Sequence, residues 1–197
     1  MAVKLLWYLT SPDGPYPWLE SGRWDTDYEH LQQIAITADR LGFYGSLMGT
    51  SEYETLAVAA SLIPFTERLK FLVAQHPGEV QPAVLAKYAQ TFDAFSQGRL
   101  LFNVVNGNDQ GLAALGIHYS HDERYDFSKE YWSTFQQNYL GDKSGFQGEF
   151  IQVAHVKRVL HRCQNGMGQP KNKAYRCGEL AHQRNGYNIQ WNCWMCI

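Results

Sequence analysis

The sequence predicts an α/β chain built from four consecutive strand–helix units. Short runs rich in β-formers alternate with longer segments whose apolar residues recur at helical spacing. The run "LLFNVV" is almost continuously apolar, as suits a sheet covered by helices. A β-α order repeated four times calls for parallel strands joined by right-handed helical crossovers.

Each element has a local reason. "VKLLWYL" (3–9) reads as a buried strand closed by the turn signal "TSPDGP". In the next segment Leu31, Ile34, Ala35, Ala38 and Leu41 share one helix face. Thr26 or Asp27 caps its start and Gly42 follows its end. "FYGSLMG" (43–49) is a short, uncharged strand, and "ETLAVAASLI" (54–63) a helix stopped by Pro64. "LKFLVAQ" (69–75) is the third strand. Residues 81–98 form a helix with Pro82 in its first turn and Gly98 behind it. "RLLFNVVNG" (99–107) is the fourth strand. After a loop, Ser120 and Glu123 have the S-x-x-E spacing that opens a fourth helix, and "GEFIQV" (148–153) reads as a surface strand. Two architectures fit this order, an open doubly wound sheet or the first half of a (β/α)8 barrel. In both, chemistry gathers at the C-terminal strand ends, here "TSPDG", "MGTSEYE", "AQHPGE" and "NGNDQG".

Composition narrows the function. Charged residues are 18% and the net charge is -2, so neither nucleic acid nor an anionic membrane is favoured as a partner. The sequence has no apolar run of membrane-spanning length and no signal-peptide cleavage pattern, which makes the cytoplasm the expected location. The chain also changes character near residue 155. Residues 1–155 carry 10 Lys+Arg against 18 Asp+Glu, and residues 156–197 carry 7 against 1. All four cysteines fall in the second part. Cys193 and Cys196 spell C-x-x-C, but Cys163 and Cys177 do not make the second pair a zinc site needs, so no metal is expected.

The densest polar cluster is "GIHYSHDERYDFSKEYW" (116–132). With Ser120 as N-cap, His121 is the first helical residue and Tyr125 lies one turn on, over the same face. A helix start offers free N–H groups to an anion, and His121, Arg124 and the Tyr125 hydroxyl add donors. Asp122 and Glu123 fit the simpler reading of a well-capped helix and would repel a phosphate. Both readings stay open on spacing alone. The dinucleotide, P-loop and nucleophile-elbow motifs are absent. His76, before Pro77-Gly78, reads as a structural loop histidine more readily than a substrate contact. Trp7, Tyr8, Trp18 and Trp24 read as core or rim packing.

The stretch "LAVAASLIPFTERLKFLVAQHPGEVQPAVLAKYAQTFDAFSQGRLLFNVVNGND" followed by "HDERYDFSKEYW" resembles the bacterial luciferase-like monooxygenases, nearest to the alkanesulfonate monooxygenases. The resemblance implies a (β/α)8 TIM barrel, of which residues 1–155 hold about the first four βα units. It implies reduced FMN (FMNH2) supplied by an NAD(P)H-dependent flavin reductase. It also implies O2 as co-substrate, a small-molecule substrate and a homo-oligomer. In the sulfonate branch a C–S bond is cleaved to aldehyde and sulfite. By position it assigns flavin contacts to His121 and Tyr125, with Arg124 beside them. It places Asn106 near the ring system, and Ala74 or Gln75 along the flavin pocket with Thr50 or Ser51. Where the sulfonate enzymes carry a histidine after the first strand and a cysteine after the second, this chain reads "TSPDG" and "TSEYETL", with Glu52 near the cysteine's place. No side chain stands out as a catalytic base. Residues 156–197 are expected to be an aberrant, poorly structured tail. Two further readings are carried: an inert half-barrel remnant that self-associates, and a deazaflavin-dependent oxidoreductase on the same scaffold.

Overall fold

The computed structural model describes residues 3–9, 14–16, 18–25, 27–49, 53–142 and 144–154. Thr26, Thr50, Ser51, Glu52 and the 156–197 tail with its cysteines lie outside the described residues. The chain divides into two compact units. The first is Met1–Gln75 with Arg99–Asn103, and the second is His76–Gly98 with the residues from Val104 onward.

The first unit holds a four-stranded parallel sheet of β1 (Leu6–Leu9), β2 (Gly45–Met48), β3 (Lys70–Gln75) and β4 (Leu100–Val104), side by side in chain order. Register aligns Trp7, Ser46 and Phe71 in one row and Tyr8, Leu47 and Leu72 in the next. Rows alternate between faces. The face carrying Ser46, Met48, Phe71 and Val73 is packed, each at most 3% exposed. Helices α1 (Tyr28–Arg40) and α2 (Thr55–Ser61) contact these strands. Asp27 caps α1, accepting from the N–H of Glu29 and His30; of the expected stripe Leu31, Ala35 and Ala38 are buried and Ile34 half-buried, whereas Leu41 is the C-cap and is 72% exposed. Glu54 is the N-cap of α2 rather than a first-turn residue. Pro64 sits in a separate 3-10 turn, Ile63–Phe65, after α2 has ended.

Strand β1 departs from the sequence reading. It is an edge strand and not a buried one: Leu6 is 37% exposed, Trp7 46% and Tyr8 55%. Among the described residues no strand pairs with its outer side. Trp18 and Trp24 are also exposed, so they belong to the rim and not to the core.

Two buried charges tie the first unit together. Asp39 is buried at the end of α1, and its carboxylate accepts from the backbone N–H of Glu67 (2.9 Å), Arg68 (2.9 Å) and Leu69 (2.6 Å). Burial alone would raise this carboxyl. The three N–H bonds and the charge of Arg68 outweigh it and hold the group below its usual range. Arg99, just before β4, donates to Thr66 Oγ1 (2.7 Å), Ile63 O (3.1 Å) and Leu69 O (3.2 Å). Both clusters converge on the 63–69 connection that delivers the chain into β3.

The second unit is built on α3 (Pro82–Ser96) and α5 (His121–Leu140), with a short α4 (Asp109–Ala114) and a hairpin of β5 (Phe146–Gln147) and β6 (Gln152–Val153). The small residues Ala86 and Ala89, each 1% exposed, let α3 approach α5 closely. Gln90 Nε2 donates to Tyr139 O (2.8 Å), and the Tyr139 hydroxyl donates to Asp93 Oδ2 (2.6 Å). Helix α3 ends on Gln97, which adopts the left-handed conformation (φ 59°) that glycine takes more easily. The segment 148–153 is not one strand as the sequence suggested. Residues 148–151 form the turn of the hairpin, and only Gln152–Val153 pairs. The Glu130 carboxylate explains why: it accepts from the N–H of Glu149 (2.8 Å), Phe150 (2.9 Å) and Ile151 (3.2 Å), drawing the turn onto α5. Glu130→Ala is expected to speed hydrogen exchange at these three amides tenfold or more, through loss of roughly 1.5–3 kcal/mol of local stability. Unchanged exchange rates would show that the turn is held by other contacts. Among the described residues no helix is long and apolar enough to cross a membrane.

Candidate functional site

The end of β4 and the start of α5 meet within the second unit. Ser120 accepts from the Glu123 N–H and Glu123 from the Ser120 N–H, which completes the capping box. The Ser120 hydroxyl and then its N–H hold the Glu123 carboxyl below its usual range. His121 and Tyr125 project from the exposed side of this turn and touch edge to face, with ring centroids 5.3 Å apart. The face shared at i and i+4 is therefore real, and both rings reach solvent.

Arg124 points the other way. It is 7% exposed, and its guanidinium donates to Gly107 O (3.1 Å), pairs with Asp109 (2.8 Å) and lies 3.1 Å from His121 Nδ1. It braces the loop after β4 against α5 and sets the tilt of the His121 ring. Its Nε is buried with no hydrogen-bond partner among the described residues.

Asn106 lies one residue before this bracing point. Its side-chain oxygen is also buried and has no hydrogen-bond partner among the described residues. An orphaned buried amide oxygen costs about 1–3 kcal/mol, so its presence at a strand mouth points to a donor supplied from elsewhere. The residues around it hold it there. His76 Nδ1 donates to Val105 O (2.7 Å), which fixes the imidazole as an Nδ1–H tautomer. Gly107 turns at φ +67°, and a β-carbon there would crowd Leu112 (3.0 Å) and His76 (3.2 Å). Sequence reasoning treated residues 108–115 as loop and gave Asp109 only as part of the strand-end run "NGNDQG", with no partner. The available signal was Asn108, which caps α4 by accepting from Gly111 N (2.8 Å).

The structure thus brings Asn106, His121, Arg124 and Tyr125 together. Ala74 and Gln75 end β3 in the first unit, 4% and 3% exposed, and Ala74 O accepts from Thr55 Oγ1 (3.0 Å). A cavity of about 590 Å³ lies elsewhere in the second unit, among Gly78, Val80, Tyr119, Phe127, Tyr131 and Phe150. It shares no residue with the Asn106–Tyr125 cluster. The aromatic packing of Phe127 with Tyr119 (4.6 Å) accounts for its walls, and it lacks orphaned polar atoms among the described residues.

Comparison with known proteins fixes the family. The family model described as luciferase-like monooxygenase matches residues 5–170, well over half of the chain and past residue 155. The chain belongs to the luciferase-like monooxygenase family. Its parallel sheet and alternating helices are the first βα units of the luciferase-like (β/α)8 barrel. Solved structures agree on the fold. EDTA monooxygenase from Chelativorans sp. BNC1 is similar at TM-score 0.67 and 18% identity, over 79% of this chain and 45% of that one. The FMN complex of the oxygenating constituent of 3,6-diketocamphane monooxygenase, from Pseudomonas putida, gives 0.62 and 16%, over 79% and 44%. The coenzyme F420-dependent tetrahydromethanopterin reductase of Methanopyrus kandleri gives 0.63 and 16%, over 80% and 47%. The chain therefore spans about half the length of the luciferase-like structures it matches.

Proposed function

We propose that this chain carries the flavin-binding part of an FMNH2-dependent monooxygenase. The observation that carries the reading is the buried Asn106 oxygen, which has no hydrogen-bond partner among the described residues, set beside an α5 start that presents His121 and Tyr125. An amide oxygen in that setting fits a ring N–H, which a flavin offers. The N–H groups of the first α5 turn that the capping box leaves over, the His121 imidazole and the Tyr125 hydroxyl fit its phosphate-bearing tail. When bound, reduced FMN supplies the electrons that activate O2. The chain's own residues bind and orient. Asn106 accepts at the ring, His121 and Tyr125 donate at the tail, and Arg124 holds the two parts in register. The reading includes a separate NAD(P)H-dependent flavin reductase as partner.

Alkanesulfonates are the substrate class proposed from the sequence resemblance. There O2, FMNH2 and the sulfonate give aldehyde, sulfite, FMN and water, and sulfite release is the direct assay.

Anaerobic titration of the purified chain with FMNH2 tests the reading. Saturable binding in the micromolar range is expected. His121→Ala combined with Tyr125→Phe should weaken it about tenfold or more, since each lost hydrogen bond contributes roughly 0.5–1.5 kcal/mol. Absence of binding at tens of micromolar would favour the inert-remnant reading. Likeness in fold to the F420-dependent reductase keeps a deazaflavin cofactor as the second reading. Tight binding of that cofactor with indifference to FMNH2 would select it.

A further inference from the structure

The cavity of about 590 Å³ in the second unit has no part in the flavin reading, since Asn106, His121, Arg124 and Tyr125 do not line it. Its size falls within the range of about 300–1,000 Å³ usual for small-molecule sites. Loose packing does not explain it. At its base Gly78 turns at φ +95°, and a β-carbon there would lie 3.1 Å from both Ile117 and Phe127. Ile117 and Phe127 are each 8% exposed, and Tyr131 is fully buried. The Tyr131 hydroxyl donates to Val80 O (2.6 Å), so this inner wall is satisfied without a guest. Gly116, also in the lining, borders open space: a β-carbon built on it meets nothing within 4 Å.

The chemistry of the walls selects the guest. Tyr119 and Phe150 meet edge to face at 5.5 Å and both pack on Phe127, which supplies flat apolar surface. Gln81, His118 and Gln152 are exposed at the rim, and their side chains make no hydrogen bond among the described residues. Gln81 is the N-cap of α3 yet gives that helix no side-chain bond. Each glutamine amide offers both a donor and an acceptor. Among the described residues that line the cavity there is no Asp, Glu, Lys or Arg. Phe150 and Ile151 reach it from a hairpin turn that the Glu130 carboxylate holds onto α5.

We propose that this cavity is a second binding site, for an uncharged planar heteroaromatic compound with an amide or lactam edge. The ring lies against Tyr119 and Phe150, and its edge meets the Gln81 and Gln152 amides. A charged ligand would lose hydration on entry and find no carboxylate, ammonium or guanidinium in the walls to offset that loss.

Saturation-transfer NMR on the purified chain with carbostyril, an uncharged bicyclic lactam, tests the site. Saturable binding with a Kd of about 1 mM or tighter is expected for a ligand of that size. Quinaldate, a bicyclic carboxylate of similar size, should bind about tenfold more weakly. Carbostyril should also slow hydrogen exchange at Phe150 and Ile151. Ala83→Phe fills the cavity from the first turn of α3, and should weaken binding about tenfold or more with circular dichroism unchanged. If that variant does not fold, Gln152→Val, at an exposed strand position, should weaken binding about threefold or more. His121→Ala combined with Tyr125→Phe should leave carbostyril binding unchanged. Loss of binding in that double variant would put the compound at the α5 start and overturn the proposal. No saturation at several millimolar overturns it too, as do equal binding of quinaldate, unchanged exchange at the two amides, or indifference to both cavity substitutions.

Discussion

Asp39→Ala is expected to lower stability by about 3–4 kcal/mol, from the loss of three charge-assisted hydrogen bonds of roughly 1.5–3 kcal/mol each that are not fully additive. Against a typical stability of about 5–15 kcal/mol this is a large share, and the fall should be plain in the urea midpoint. Asp39→Asn separates charge from geometry. Its remaining oxygen can keep the N–H groups of Arg68 and Leu69, both of which bond Oδ1, but its amide nitrogen faces the Glu67 N–H that now bonds Oδ2. About 2 kcal/mol should be lost. The pH dependence follows from the lowered folded-state carboxyl. A carboxyl whose pKa is lower folded than unfolded contributes fully above its unfolded value. That contribution is lost as pH falls through the folded value. The gap between wild type and Asp39→Asn should therefore be constant above about pH 5 and shrink below about pH 4. A gap that persists unchanged at low pH would mean the carboxylate's charge contributes nothing.

What was legible in the sequence and what was not divide by range. The Ser120 cap, the choice of Thr26 or Asp27 before α1 and most of the α1 stripe are matters of three or four residues and were legible; Asp27 is the cap, and Leu41 alone of the stripe is exposed. The His121–Tyr125 face was legible for the same reason. Arg124 was placed beside the ligand as a donor at the helix start and by its position in the family resemblance. Its actual partners include Gly107, 17 residues away, and no local pattern encodes that bond. The carboxylates of Asp39 and Glu130 were invisible for the same reason, since each bonds backbone N–H groups, which carry no residue signature. Glu130 also explains the misread segment at 148–153. A strand-like composition was overridden when one half-buried carboxylate gathered three consecutive N–H groups. Strand β1 was misjudged because apolar composition reports what a strand is suited to meet, and not whether a neighbour is there.

Asn106 gives the sharpest discrimination between a ligand site and a merely structural strand end. Asn106→Leu removes the partnerless oxygen and keeps the side chain's approximate volume. In the absence of ligand the substitution should leave stability unchanged or raise it by about 1 kcal/mol, because a buried amide oxygen without a donor is a cost the folded chain no longer bears. The same change should weaken FMNH2 about tenfold, equivalent to roughly 1.4 kcal/mol, by deleting the acceptor for the ring N–H. The two readouts move in opposite directions, and that opposition identifies the role. If the oxygen served the fold, thermal and urea midpoints would fall by the usual cost of a lost buried hydrogen bond, and cofactor affinity would change only through loss of folded protein. A buried oxygen that lacks a donor among the described residues and gains one from a bound ring predicts a leucine variant that is sturdier alone and poorer at its task.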